Sequence, residues 1–346
     1  MGAQSLSGIA QERVDGWLAE HVEAIEPPFR YSLIAGGRSN LTYEVVDGGG
    51  RRFVLRRPPL GHVLQSAHDM GREHRIITAL APTSVPVPTP LGYCDDPDVN
   101  GAPFYVMEFV EGVVLAEAGD IRPELGERER ATIAHSMVDV LAELGTVEPD
   151  AVGLGDLGRR EGYVERQLRR WMRQFEQSTR REIPAVVEVH RLLSRHVPTQ
   201  QWTAIAHGDF RLGNCMVGPE GVRAVLDWEL CTLGDPLADL GWLMADWAEA
   251  GERTDHLRAT PPSTLPGFPP RSEMIERYVE RTGADGSGLD FYVALALWKL
   301  ACIAEGVYER YRAGVMGDDG TDVVESFGER VVTLAEESLA IAERLG

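Results

Sequence analysis

The stretch His207-Gly208-Asp209-Phe210-Arg211-Leu212-Gly213-Asn214, followed by Arg223-Ala224-Val225-Leu226-Asp227, decides the interpretation of this chain. Asn214 lies five positions after Asp209, and Asp227 lies thirteen positions after Asn214. The spacing fits a loop and a hairpin that bring a carboxylate, a carboxamide and a second carboxylate onto adjoining turns. Such a set suits phosphoryl transfer, in which one group orients a hydroxyl and two hold a hard cation against nucleotide phosphates. The alternative is that all three are ordinary turn and cap residues.

The chain divides into a part rich in predicted strands, up to Gly112, and a part rich in predicted helices beyond it. Short β-rich runs separated by glycine turns predict an antiparallel sheet of hairpins. The strands are expected at residues 31–34, 41–46, 52–57, 91–94 and 104–110, with one helix at 66–80.

Beyond Gly112 the apolar residues recur at helical spacing, which indicates helices that pack on one side. We expect helices at residues 127–144, 162–177, 184–196, 236–250, 271–282, 291–313 and 322–345, with one β-like island at 203–227. The predicted class is α+β, with a small strand-rich lobe over residues 1–110 and a larger helical lobe over 111–346.

The composition of the chain indicates which class of protein it belongs to and which kinds of partner are not expected. Hydrophobic residues make up 43% of the chain and charged residues 25%, a balance typical of globular proteins rather than disordered ones. A net charge of -20 repels polyphosphate, so nucleic acid and anionic membranes are not expected as partners. No uninterrupted apolar run of about 18 residues is apparent, so no membrane span is expected. The N-terminus lacks a secretory pattern, which predicts a cytoplasmic protein.

The spacing of the cysteines and the scarcity of lysine exclude several kinds of metal and phosphate site. Four cysteines at wide spacing form no CxxC pair, so we expect buried thiols rather than a zinc site or disulfides. Lys299 is the only lysine, which excludes a GK[ST] phosphate loop.

A glycine turn near the N-terminus is a candidate phosphate-binding loop. Gly36 and Gly37 lie between two predicted strands, where glycines would let backbone amides approach a phosphate closely, and Ser39 could add a hydroxyl. Taken alone, a paired glycine in a hairpin is more often only a turn.

The segment HGDFRLGN and the strand that ends in Asp227 resemble the catalytic and metal loops of the aminoglycoside phosphotransferase family, within the protein-kinase-like fold. The motifs occur in the expected order from Gly36 to Asp239. The resemblance implies that Asp209 is the catalytic base, that Arg211 clamps the transferred phosphoryl group, and that Asn214 and Asp227 are magnesium ligands. His207 would order the loop.

The same resemblance implies a nucleotide site in the first lobe. Arg56 stands where most kinases have a lysine and would reach the nucleotide phosphates, paired with Glu73 on the following helix. On the same strand face Val54 would cover the adenine, and Arg57 would point the other way. Met107 would lie behind the adenine, and main-chain groups of Glu108 and Val110 would bind it. The donor is ATP, with GTP left open.

The acceptor is a small molecule with a hydroxyl group. The VLRRPP, LGYCDD and VLDWELCTLGDPLADLGWL segments look closest to a branch that resembles the kinase-like domain of acyl-CoA dehydrogenase family members 10 and 11, which is associated with hydroxyacyl substrates. Aminoglycosides are the other acceptor class. Glu229, Asp246 and the helix at 291–311 are candidate lining, although aromatic residues on that helix are more often core.

Two other functions remain open at this point. A nucleotide-binding pseudokinase that regulates or scaffolds is favoured by Arg56 in place of lysine, while retained Asp209, Asn214 and Asp227 argue against it. A metal-dependent hydrolase built around His207, Asp209 and Asp227 ranks lower, because the sequence lacks a second histidine cluster at ligand spacing such as HExxH.

Overall fold

A computed structural model of the protein describes residues 7–35, 40–60, 69–254, 259–314 and 321–345. The chain forms two compact units, one of residues 1–112 with 223–229 and one of residues 113–222 with 230–346. The segment that carries Asp227 therefore belongs to the first unit although it is distant in sequence. The predicted lobe boundary after residue 110 stays a prediction.

The first unit contains a five-stranded sheet in the order β1-β2-β3-β5-β4, in which every neighbouring pair is antiparallel. The strands are β1 Arg30–Ala35, β2 Leu41–Val46, β3 Arg52–Arg57, β4 Pro90–Cys94 and β5 Phe104–Glu108. The helices are α1 Gln11–His21, α2 Met70–Leu80 and α3 Pro97–Asn100. The predicted antiparallel sheet and the α+β class are confirmed.

One face of this sheet packs into the core of the unit, and the other face carries polar groups. Phe53 and Leu55 of β3 pack in a buried cluster with Val14 and Leu18 of α1. Because side chains alternate along a strand, Val54 and Arg56 lie on the opposite face. Helix α1 was not predicted, since the two apolar residues that it buries are a short signal in a polar segment.

The second unit is mainly helical. Its helices are α4 Glu127–Thr146, α5 Tyr163–Ser178, α6 Pro184–Arg195, α7 Leu237–Asp246, α8 Arg271–Thr282, α9 Leu289–Arg312 and α10 Thr321–Ala342. Its short strands are β6 Val113–Val114, β7 Ala204–Ala206, β8 Cys215–Gly218 and β10 Thr232–Gly234, while β9 Gly221–Val225 continues into the first unit. β6 pairs with β8 and β7 with β10, both antiparallel.

Helix α9 lies at the centre of the second unit, packed against α5, α6, α7 and α10. Among the described helices it alone is long and apolar enough to cross a bilayer, yet 67% of its most apolar window is buried within the structure. Such burial is typical of the core helix of a folded unit. Lys299, expected to interrupt the apolar run, is itself buried.

Two sequence expectations are corrected in detail. Helix α7 ends at Asp246 rather than near residue 250, because Trp247 adopts an extended conformation and its indole donates to the Pro269 carbonyl over 3.1 Å. The turn expected at 95–97 continues into the short helix α3, with Asp96 as its cap. All four cysteines are buried thiols, as predicted.

Candidate active site

Arg56 is the centre of a polar cluster in the first unit. Its Nε donates to Glu73 Oε2 over 2.9 Å, and its Nη2 donates to Asp227 Oδ1 over 3.0 Å. Its Nη1 donates to Thr42 Oγ1 over 3.3 Å. Burial opposes the charge of Arg56, but the neighbouring carboxylates, Glu73 foremost, raise its pKa. The guanidinium is therefore held as a permanent cation on the face of β3 that the sequence predicted.

Glu73 of α2 is positioned by two contacts besides the one with Arg56. Tyr105 donates its hydroxyl to Glu73 Oε2 over 3.1 Å, and the Asn40 side-chain amide donates to Oε1 over 2.9 Å. Glu73 is 2% exposed. Burial raises its pKa, and Arg56 opposes that rise. This carboxylate is thus a built component of the unit and not a solvated surface residue.

The remaining predicted nucleotide residues lie on the same sheet. Val54 is buried and pairs in register with Met107 of β5, which is also buried. Arg57 faces the other side of the sheet, where its guanidinium donates to the carbonyls of Gly8 and Asn100. The predicted alternation of β3 is therefore confirmed.

The predicted adenine-binding main chain lies at the end of β5 and just after it. The Glu108 amide donates to the Thr89 carbonyl over 2.8 Å, so this amide is not available to a base. Val110 is partly exposed, and its amide makes no hydrogen bond within the part of the chain that the structure describes. The predicted loop residues Gly36, Gly37 and Ser39 lie outside the described residues.

Asp227 has a left-handed backbone, with φ of 65°, which is uncommon for a residue with a side chain. It follows β9, whose Val225 amide donates to the Pro86 carbonyl over 2.8 Å. Carboxylate oxygens of Asp227, Glu73 and Glu229 lie within 4.8 Å of one another. Glu229, expected to line the acceptor pocket, thus lies beside the predicted metal ligand. Carboxylate oxygens are ligands that magnesium and calcium accept.

In the second unit, Asp209 receives hydrogen bonds at both carboxylate oxygens. Trp242 of α7 donates its indole N–H to Oδ1 over 2.8 Å, and Arg211 Nε lies 3.3 Å from the same oxygen. Asn214 Nδ2 donates to Oδ2 over 2.8 Å. These contacts hold the carboxylate in one orientation, as a base that must accept a proton from a positioned hydroxyl requires.

Asn214 is oriented so that its oxygen is left for another ligand. Its Nδ2 donates to the Asp209 carbonyl and to Asp209 Oδ2, both over 2.8 Å, which uses both amide hydrogens. Its Oδ1 accepts no hydrogen bond from any described residue. An amide oxygen in this state fits the donor set of a hard cation. The joint metal site of Asn214 and Asp227 stays a prediction.

The loop before Asp209 is held by buried polar groups. Asp239 accepts from the amides of His207 and Gly208 over 2.6 and 2.8 Å, and burial raises the pKa of this carboxyl. His207 Nδ1 accepts from the Asp209 amide over 3.2 Å. Lys299 Nζ donates to the Gly208 carbonyl over 2.8 Å. The geometry agrees with a role for His207 in ordering the loop.

Sequence reasoning missed two residues of this site, Trp242 and Lys299. Trp242 gives no signal, because its position in an apolar helix is typical of core. Lys299 does give one, since it is the single lysine of the chain and lies in a long apolar helix. Of the aromatic residues predicted on that helix, Trp298 is core, fully buried and bonded to the Val186 carbonyl.

Comparison with known proteins gives a consistent result. A family model described as "Phosphotransferase enzyme family" matches residues 30–272. Acyl-CoA dehydrogenase family member 11 of Rattus norvegicus is 34% identical over 99% of this chain, which spans 43% of the length of that relative. A crystal structure from Ralstonia eutropha, described as a candidate aminoglycoside phosphotransferase, is 34% identical with a TM-score of 0.81, covering 96% of this chain and 98% of that one.

The fold is also that of more distant solved structures. An aminoglycoside phosphotransferase crystallised with ADP and hygromycin B is 13% identical with a TM-score of 0.62, and the alignment covers 96% of this chain and 98% of that one. At this identity the likeness concerns the fold alone.

Proposed function

Because the chain belongs to the phosphotransferase enzyme family, we propose that it transfers the terminal phosphoryl group of ATP to a hydroxyl of a small molecule. The observation that carries this proposal is the Asp209 carboxylate, held at both oxygens by Trp242, Arg211 and Asn214. A carboxylate with a fixed direction can orient a hydroxyl and take its proton. A turn residue without such a role would need no such set of donors.

The proposed step uses Asp209 as the base. As the acceptor oxygen forms a bond to the terminal phosphorus, its proton passes to Asp209, and the bond from that phosphorus to the bridging oxygen breaks to leave ADP. Arg211, beside Asp209, would contact the phosphoryl oxygens as their charge redistributes. The loop therefore supplies both the base and a cation at the reacting group.

Arg56 would bind the phosphates of the nucleotide. Three of its five N–H groups are used by Glu73, Thr42 and Asp227, and one N–H on each terminal nitrogen has no partner among the described residues. These two N–H groups can donate to phosphate oxygens. Asn214 Oδ1 and the Asp227 carboxylate would hold magnesium, which when bound neutralises phosphate charge.

The acceptor class follows from the groups around Asp209. Arg211 is a cation beside this carboxylate, so a polycationic aminoglycoside would meet a charge of its own sign there. A hydroxyacyl compound, neutral or anionic at the reacting end, avoids that repulsion. We therefore place hydroxyacyl compounds before aminoglycosides as acceptors.

A transfer screen tests the proposal. The purified protein is incubated with ATP labelled in the terminal phosphate and with aminoglycosides, macrolides, amino alcohols such as choline, or hydroxyacyl-CoA thioesters, with GTP as an alternative donor. We expect a phosphorylated product with one class, and no product with EDTA or with Asp209→Asn. Nucleotide binding without transfer to any class would favour the nucleotide-binding regulatory module instead, and absence of both would overturn the proposal.

The predicted metal ligand is tested by binding rather than turnover. Titration calorimetry with a non-hydrolysable ATP analogue, with and without magnesium, should show that magnesium strengthens binding by the wild type. Asp227→Asn removes one ligand charge and should reduce that gain by about tenfold or more. An unchanged gain would show that Asp227 is not a metal ligand.

A further inference from the structure

Lys299 lies in an environment unusual for a lysine. It is 8% exposed in the middle of α9, in a chain that otherwise uses arginine for its strong bases. Its Nζ lies 4.1 Å from the centroid of the Trp242 ring and 5.5 Å from that of Trp171. A buried ammonium is costly unless its charge and hydrogen atoms are used. The contacts of Lys299 show which groups its charge and its hydrogen atoms interact with.

The ammonium holds the peptide group that precedes Asp209. Lys299 donates to the Gly208 carbonyl over 2.8 Å, while the amide at the other end of the same peptide group, that of Asp209, donates to His207 Nδ1. This peptide group is therefore held from both sides. Its orientation determines the direction in which the Asp209 side chain leaves the backbone.

The same ammonium acts on a second contact of Asp209. It lies over the face of Trp242, whose indole N–H donates to Asp209 Oδ1 over 2.8 Å. A cation over an indole face is attracted to the ring and draws electron density from it. The indole N–H then becomes a stronger donor, and the ring is fixed in the orientation that this donation needs.

The surroundings exclude a direct contact of Lys299 with a sugar-sized or acyl acceptor. The cavity that Lys299 lines with Tyr163, Trp242 and Tyr292 has a volume of about 20 Å³. A space of that size holds about one water molecule. Lys299 therefore faces the underside of the loop and acts on the reaction only through other residues.

We propose that Lys299 is a positioning residue that holds Asp209 in its reactive orientation through the Gly208 carbonyl and the Trp242 indole. The expected effect of Lys299 on kcat rests on the proposed transfer reaction. Its expected effect on the orientation of Asp209 rests on the geometry alone.

The charge of Lys299 depends on the groups that face it. Burial lowers its pKa to about 8, Asp209 and Asp239 oppose the fall, and Arg170 of α5 adds to it. Below that pH the residue is an ammonium that can donate to Gly208 and lie over Trp242. Above it, the neutral amine loses its attraction for the ring. The orientation of Asp209 is therefore pH-dependent near pH 8.

The first test needs no enzymatic activity. Because the chain has one lysine, protein labelled with ¹³C at lysine Cε gives a single side-chain NMR signal for that carbon. We expect this signal to titrate near pH 8, and the indole ¹⁵N–H signal of Trp242, assigned from Trp242→Phe, to move with the same midpoint. In Lys299→Met the Trp242 signal should not titrate. A lysine signal that titrates at its ordinary pKa of 10.5, or a Trp242 signal that ignores it, overturns the proposal.

The second test measures kcat and KM with an accepted substrate. Lys299→Met and Trp242→Phe should each lower kcat by about 10- to 100-fold, the loss expected for one charge-assisted hydrogen bond, while both KM values change little. The double variant should lose less than the product of the two effects, because both act on one contact. Lys299→Arg should restore part of kcat and remove the decline above pH 8.

Trp298→Phe is the matched control. Trp298 is the neighbouring buried residue of α9, but its indole donates to the Val186 carbonyl on α6. This variant should lower thermal stability and leave kcat and the pH profile unchanged. Wild-type kcat in Lys299→Met, with the wild type active, overturns the inference. If the wild type transfers phosphate to no acceptor, the proposed function fails, and the NMR titration still decides the structural role.

Discussion

Asn214 donates both hydrogens of its side-chain amide to Asp209, one to the main-chain carbonyl and one to Oδ2, each over 2.8 Å. The carboxamide therefore closes the five-residue loop between the two residues and leaves its own oxygen on the far side. The same side chain can fix the base and offer a ligand atom to a cation, which explains why a carboxylate would not replace it.

Asn214→Asp tests this double role. The variant keeps the shape and the oxygen atom but has no N–H, so Asp209 would face a second carboxylate. We expect kcat to fall roughly 10- to 100-fold, the loss of a hydrogen bond to a charged group, with magnesium-dependent nucleotide binding retained. Turnover near that of the wild type would contradict the positioning role of the amide.

The pair of Arg56 and Glu73 should dominate the stability of the first unit. Arg56→Met would leave the Glu73 carboxylate buried without its cation, and breaking a buried pair in this way costs about 3 kcal/mol or more. Urea unfolding monitors the loss. Arg191→Met, which breaks the exposed pair of Arg191 with Glu188, is the control and should leave the unfolding midpoint unchanged. Equal midpoints for both variants would show that the buried pair contributes nothing.

Gly208→Ala should damage the loop for a steric reason as well as a conformational one. Gly208 has φ of 86°, and an added Cβ would lie 2.9 Å from the Leu230 carbonyl oxygen. Gly251 has the same φ with no atom within 4 Å of an added Cβ, so Gly251→Ala measures the conformational cost by itself. We expect Gly251→Ala to lose about 1 kcal/mol of stability and Gly208→Ala to lose more, with kcat reduced only in the second. Equal losses would argue against close packing at Gly208.

The pH dependence of the free energy of unfolding should reveal the lowered pKa of Lys299. Its pKa is about 8 in the folded chain against 10.5 for an ordinary lysine, so between these values the unfolded chain binds the additional proton. The free energy of unfolding of the wild type should therefore rise, relative to Lys299→Met, as the pH increases from about 8 to 10.5. Below pH 8 the difference between the two proteins should be constant. Parallel stability curves over the whole range would mean that the lysine pKa is not lowered.

Much of the local structure was predictable because it depends on nearby residues. Strands β2 and β3 begin and end where the alternation and the glycine turns indicate, and helix α8 occupies the predicted residues. The hydrogen bond between Asn214 and Asp209 joins residues five positions apart, and the spacing of the motif predicts that residues so close in sequence lie on one loop. The Arg56 and Glu73 pair followed from the family resemblance and is confirmed by the 2.9 Å contact.

The rest of the site depends on contacts between residues far apart in sequence. Trp242 lies 33 positions from Asp209, and Lys299 lies 91 positions from Gly208. Each residue occupies a helix whose apolar pattern indicates burial but not the group that the side chain contacts. Periodicity gives the buried side of a helix but not the polar atom that a buried tryptophan or lysine will meet.

The discontinuity of the first unit has a consequence for biosynthesis. The ribosome completes the five-stranded sheet early, but Val225 and Asp227, which bond to Pro86 and Arg56, are made more than 110 residues after Gly112. A nascent chain therefore carries the complete sheet, with the Arg56 guanidinium lacking one of its two carboxylates, until residue 227 has been made. A gene fragment that encodes only residues 1–112 would reproduce that immature state, whereas adding residues 223–229 through a short linker would supply the missing closure.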